Sequence, residues 1–155
     1  MTAKGPGQQP APCADLPSCA DQASPGVIEA CFRFTGRAAH AAASPQLGRS
    51  ALDAVELMIV GVNFLREHLP AGARIQHAIT DTGGSTPNVV QHRAAVLYTV
   101  RSPDSGQVAP LFERVHDVAR GAALMTETEL IVELDRSGGA NAATTATQDF
   151  SRDNA

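Results

Sequence analysis

From Val27 to Thr35 the side chains Ile28, Ala30, Phe32 and Phe34 alternate with Glu29, Cys31, Arg33 and Thr35. A period of two puts the first set on one face of an extended chain, so this stretch predicts a half-buried strand. The period then changes. In Ser50–Leu69, Leu52, Val55, Met58, Ile59, Val62, Leu65 and Leu69 recur every three or four residues, which marks one face of a helix. Ser50 with Asp53 three positions on predicts a capping-box-like start, and Pro70-Ala71-Gly72 predicts the stop. Alternation returns in Arg74–Thr80, with Ile75, His77 and Ile79 on one face, and in Ala94–Arg101, where Val96, Tyr98 and Val100 oppose Ala95, Leu97 and Thr99.

After the turn Ser102-Pro103-Asp104-Ser105-Gly106, a second helical stripe runs through Val108, Leu111, Val115, Val118, Ala122 and Met125. Pro110 is compatible with that helix only in its first turn, where its missing N–H costs nothing. Glu127–Leu134 closes the pattern, with Leu130, Val132 and Leu134 set against Glu129, Ile131 and Glu133. The predicted order is β-α-β-β-α-β. It implies an α+β fold: a ferredoxin-like sandwich, with a four-stranded antiparallel sheet and both helices on one face.

Composition adds boundaries. Residues 1–26 are rich in Pro, Gly, Gln and Ala without periodicity, and the same character returns from Arg136. Such sequences bury too little apolar surface to offset chain entropy. The expected organisation is a disordered leader over 1–26, a folded domain over 27–135 and a disordered tail over 136–155. A net charge of −4 with 12 basic residues gives no nucleic-acid footprint. No apolar run reaches the ~20 residues of a membrane span, and the first residues lack the apolar core of an export signal. A cytoplasmic protein is expected. Cys13, Cys19 and Cys31 have no metal-like spacing and are expected to be reduced and unpaired.

Two motifs carry the chemistry. The first is Phe34-Thr35-Gly36-Arg37-Ala38-Ala39-His40-Ala41-Ala42-Ala43-Ser44-Pro45, between the first strand and the first helix. The second is Thr80-Asp81-Thr82-Gly83-Gly84-Ser85-Thr86-Pro87-Asn88-Val89-Val90, one helix and one strand later. Together they resemble the lid and dimerisation (satellite) domain of the metal-dependent aminoacylase and carboxypeptidase (peptidase M-twenty) family, nearest its aminobenzoyl-glutamate hydrolase-like amidohydrolases. The resemblance implies a homodimer joined through an edge strand and the first helix, and an exposed strand edge is a ready template for such pairing.

The resemblance also implies roles. His40 would reach the active site of the neighbouring subunit and donate a hydrogen bond to the scissile carbonyl oxygen, where charge grows in the transition state. Asn88, held after Pro87, would bind substrate across the dimer; Gln91 stands where many members have proline. Arg101, at a strand end, would bind a substrate carboxylate through a planar bidentate fork. Gly83 and Gly84 supply backbone freedom, and Gly84 is counted with the substrate-binding residues. A capping or surface role for His40, a self-bonded turn for Asn88 and a solvated strand end for Arg101 are the plain structural alternatives. Among the other histidines, His68 suits a helix C-terminus, His77 a core or interface position in its strand, His92 the edge of the Asn88 loop, and His116 the exposed side of the second helix.

A hydrolytic metal centre needs several His, Asp and Glu ligands gathered together with a carboxylate base. The family holds zinc or manganese through an H-x-D motif and an E-E pair in a separate catalytic domain. This sequence has neither motif, and no H-E-x-x-H or G-x-S-x-G. No metal ligand and no cofactor is therefore assigned to this chain, and it is expected to be inactive without the catalytic domain of a full-length relative. A gene fragment, a frameshifted reading and a stand-alone domain all fit this pattern. A non-enzymatic binding or regulatory dimerisation module is the other open reading, because this fold serves many roles.

Overall fold

A computed structural model of the chain describes residues 26–134. The elements are β1 (Gly26–Thr35), α1 (Ala51–Leu65), β2 (Arg74–Asp81), β3 (Arg93–Ser102), α2 (Val108–Thr126) and β4 (Glu129–Leu134). They form a four-stranded sheet in the order β2-β3-β1-β4, and every neighbouring pair is antiparallel. The β-α-β-β-α-β sandwich expected from periodicity is the fold. Cys13, Cys19 and the expected disordered ends lie outside the described residues, apart from Gly26, which opens β1.

The alternation in β1 decides its two faces. Ala30, Phe32 and Phe34 are buried under the helices together with Val96, Tyr98 and Val100 of β3. Phe32 meets Tyr98 edge-on at 5.8 Å and Phe112 at 6.1 Å. Burying side chains of this size contributes roughly 1.5–3 kcal/mol each, which makes this cluster the main source of stability. The opposite face carries no helix. It holds Glu29, whose carboxylate accepts from Thr99 Oγ1 at 2.6 Å, and the exposed pair Arg33–Glu133 at 2.8 Å.

The start of α1 follows its sequence signal. Ser50 Oγ accepts from the Asp53 N–H at 3.1 Å and donates to the Asp53 carboxylate at 2.9 Å. Its end comes earlier than the apolar stripe predicts. The α-helix stops at Leu65, a single 3-10 turn covers Arg66–His68, and Leu69 lies beyond it. Gly61 has a packing reason: a Cβ there would stand 2.6 Å from Val118 of α2, so the bare backbone lets the helices approach.

The stripe predicted for α2 is right at Val108, Leu111, Val115 and Ala122 and drifts elsewhere. Ala119 and Ala123 are buried, Val118 and Phe112 are partly buried, and Met125 is 71% exposed. The buried face of α2 is lined with alanines, whose small side chains mark neither face in a hydrophobic pattern. Pro110 occupies the third helical position, inside the first turn. His116 is not fully on the exposed side as expected, because its ring stacks on Phe112 at 6.4 Å and its side chain is half-buried.

The helices lie over β1 and β3 and cover only the start of β2, leaving its helix-side face bare beyond Ile75. Ile75 is buried at the start of that strand, whereas His77 is exposed and Ile79 is 44% exposed. His77 stacks on Tyr98 at 5.2 Å and accepts from Arg66 Nη2 at 3.4 Å. Partial desolvation, and then the Arg66 charge, lower its pKa below the usual histidine value.

Candidate functional site

β1 and β2 run the same way, so the loops that follow them, 36–50 and 82–92, meet at one end of the sheet. Backbone hydrogen bonds zip them together. The Gly36 N–H donates to the His92 carbonyl at 2.8 Å, Ala41 to Asn88 at 2.9 Å, Val90 to Ala39 at 2.9 Å and Ala51 to Gln91 at 2.8 Å. His40 forms a bridge with Val89, beside Asn88. The two motifs read from the sequence thus form one surface.

The base of the His40 loop is tightly made. Arg37 and Arg49 exchange backbone hydrogen bonds at 2.9 Å. A Cβ on Gly36 would fall 2.0 Å from the Arg49 carbonyl oxygen, so only glycine fits there. The Arg49 guanidinium donates to the Gly48 carbonyl at 2.7 Å and pairs with Glu127 at 2.8 Å. Glu127 caps α2 with φ 53°, a left-handed conformation unfavourable for a side chain of this kind, and the ion pair helps hold it.

His40 is exposed, and its ring orientation is fixed. Nδ1 accepts from the backbone N–H of Ala42 at 3.2 Å and of Ala43 at 3.1 Å. A nitrogen that accepts two N–H bonds carries no proton, so the neutral imidazole holds its hydrogen on Nε2. The exposed edge of the ring is a hydrogen-bond donor. The three alanines after His40 supply the turn and keep bulk away from it.

Asn88 is exposed and contributes only its backbone carbonyl to the loop contacts. Its side-chain amide has no hydrogen-bond partner among the described residues, which leaves both donors and the acceptor available. Gly83 (φ 78°) and Gly84 (φ 129°) need their conformations rather than space at Gly84, where an added Cβ would meet nothing within 4 Å. At Gly83 a Cβ would lie 2.2 Å from the Arg93 carbonyl oxygen. Asp81 anchors this turn by accepting from the Gly83 N–H at 2.8 Å and pairing with Arg93 at 3.2 Å. Gly83, Gly84, Thr86, Val89 and Gln91 line a cavity of about 80 Å³. That is well below the roughly 300–1,000 Å³ of a small-molecule pocket. His40 and Asn88 are not part of the cavity's lining and stand exposed on an open rim.

Arg101 is elsewhere. It ends β3 opposite Val27, near the start of β1, and β3 runs away from the Asn88 loop. From Arg93 to Arg101 the strand alone spans about 26 Å at ~3.3 Å per residue. Within one copy, Arg101 does not join His40, Asn88 and Gly84. His92 gives its backbone carbonyl to Gly36 and its side chain is exposed, whereas His68 lies in the 3-10 turn after α1. Among the described residues no group of three or more His, Cys, Asp and Glu could hold a metal ion. No helix among them is long and apolar enough to cross a membrane.

The fold recurs in known proteins. The peptidase dimerisation domain family matches residues 23–125. The chain belongs to this family. It is 54% identical over 110 residues to a p-aminobenzoyl-glutamate hydrolase component of Escherichia coli (strain K12), covering 71% of this chain and 23% of that protein. It is 33% identical over 101 residues to Xaa-Arg dipeptidase of Mus musculus, covering 65% of this chain and 23% of the dipeptidase. Among solved structures, the aminobenzoyl-glutamate utilization protein from Klebsiella pneumoniae superposes with a TM-score of 0.61 at 26% identity, covering 71% of this chain and 28% of that one. The chain spans about a quarter of the length of the curated relatives it matches. It corresponds to the dimerisation domain of aminobenzoyl-glutamate hydrolase-like amidohydrolases.

Proposed function

We propose that residues 26–134 are the lid and dimer-forming part of an amidohydrolase that cleaves the amide bond of acyl-amino acids or short peptides, aminobenzoyl-glutamate among them. The observation that carries this reading is the fixed His40 ring. Two backbone N–H groups hold Nδ1, which leaves an outward Nε2–H on an open rim beside an unpartnered Asn88 amide. Such a donor bonds the scissile carbonyl oxygen more strongly as negative charge develops on it, and so lowers the barrier. Asn88 would orient the same substrate, with Gly84 letting the chain pass close.

The separation of Arg101 from His40 then has a natural meaning. One lid serves two active sites: its His40 end reaches into the site of the neighbouring subunit, and its Arg101 end covers the site of its own. A second copy adding along the free edge of β2 would bring this about. That edge lies next to the bare helix-side face with Ile79 44% exposed, and α1 leaves Val60 48% and Phe64 67% exposed. The described residues do not assemble a metal-ligand set, so every role assigned here belongs to the chain's own side chains. We place this enzyme in the cytoplasm, where the free thiol of Cys31 would stay reduced.

The test is a hybrid in which residues 26–134 replace the matching segment of the E. coli hydrolase. His40→Ala in that hybrid should lower kcat about 10²–10³-fold, the usual cost of losing an oxyanion donor, with folding unchanged. An unchanged kcat would remove the catalytic role and favour a domain that only binds or dimerises.

A further inference from the structure

The register of β2 and β3 places Arg74 directly opposite Arg101. Paired residues in an antiparallel ladder point to the same side, with Cβ atoms about 4.5–5.5 Å apart. That side is the open face, because Ile75 and Val100, their neighbours in sequence, are buried beneath the helices. Two like charges set directly across a ladder repel and destabilise it. The other arginines of this face are neutralised: Arg33 pairs with Glu133 at 2.8 Å and Arg93 with Asp81 at 3.2 Å. Arg74 and Arg101 have no carboxylate within 4.0 Å among the described residues, and both are exposed. The Arg74 guanidinium is held at one corner by the Ala73 carbonyl at 2.8 Å, which orients the fork and leaves most of its donors free.

We propose that Arg74 is a second carboxylate-binding residue, and that with Arg101 it selects substrates whose amino-acid part carries two carboxylates. This deepens the reading of Arg101 given above and rests on it. One carboxylate satisfies one planar fork through two parallel hydrogen bonds. A second guanidinium at ladder distance would then remain uncompensated, whereas a dicarboxylate neutralises both. The pair therefore discriminates by charge number: an acyl-glutamate or acyl-aspartate fits it, and an acyl-amino acid with a neutral side chain leaves one arginine unmatched.

The probe is glutarate, with acetate at twice its molarity supplying the same total charge. Both are titrated at low salt into the full 155-residue chain while the arginine Nε–Hε resonances are followed by NMR. Glutarate should shift both Arg74 and Arg101, with a dissociation constant about tenfold below that of acetate, the equivalent of one added charge-assisted contact in solvent. Arg74→Gln should raise the glutarate constant to the acetate value, and Arg101→Gln should abolish the response to both. Equal affinities, or an Arg74→Gln chain that binds glutarate as before, would overturn the proposal while leaving Arg101 as a single-carboxylate site. If neither anion moves Arg101, both readings fall together.

Discussion

Replacing Tyr98 by phenylalanine removes one oxygen from the centre of the fold. Tyr98 is 0% exposed, and its hydroxyl is the one buried side-chain polar atom without a hydrogen-bond partner among the described residues. Burial pushes the hydroxyl's pKa above the usual tyrosine range, against the opposing charge of Arg66, so the group stays neutral. A buried hydroxyl with no partner forfeits its hydrogen bonds to water, a penalty of about 1–3 kcal/mol. Phenylalanine keeps the stack on His77 at 5.2 Å and the edge contact with Phe32 at 5.8 Å, so the ring packing is retained. Part of the gain is returned through the small void left by the oxygen. The net expectation is a stabilisation of about 1 kcal/mol, or about 4–8 °C in Tm for a domain of this size. Urea unfolding followed by circular dichroism, with thermal melts alongside, measures it. A loss of 1 kcal/mol or more in Tyr98→Phe would show that the hydroxyl is bonded in the folded protein, and the reasoning would fail.

Three further outcomes follow from the packing and the charges. Val115→Asp should abolish folding, because Val115 is 0% exposed and the carboxylate would have no partner; Leu52→Asp, at a partly buried site, should cost clearly less, and equal urea midpoints for the two would contradict the burial. The lowered pKa of His77 makes its folded state resist protonation, so stability is present above the unfolded value of 6.5 and falls as pH drops below it toward the lowered folded value. His77→Gln should flatten that part of a urea-midpoint profile between pH 5 and 8, and an unaltered profile would exclude His77 as the cause. Arg49→Ala removes the tie to Glu127 and the Gly48 carbonyl. It should speed amide exchange in residues 37–50 with little change in global stability, and unaltered exchange would show that backbone bonds alone hold the loop.

How much of this was visible in the sequence depends on what each residue reports. β1, β3 and the capped start of α1 were legible because one face of each is buried and Ser50 and Asp53 signal their own bond. α2 was located correctly and its face only partly, because Ala119 and Ala123 line its core side while Met125 does not. The exposure of Ile79 and His77 depends on where the helices sit across the sheet, which the alternation in β2 does not encode. The same holds for the site. His40 and Asn88 could be singled out by their motifs, but the ring orientation set by Ala42 and Ala43 requires a folded turn. Arg74 carries no local signal at all, and it acquires a meaning only through the ladder register that sets it against Arg101.

The most direct test of the central claim is a mixed-dimer assay with the E. coli hybrid. One partner carries His40→Ala with an intact catalytic part, and the other carries the native lid with its metal ligands removed. Each is nearly inactive alone. If His40 acts across the dimer, random mixing makes half of the dimers hybrid, each with one of its two sites working, so amide hydrolysis should return to roughly a quarter of the parent level. A mixture no more active than its His40→Ala component would contradict the account.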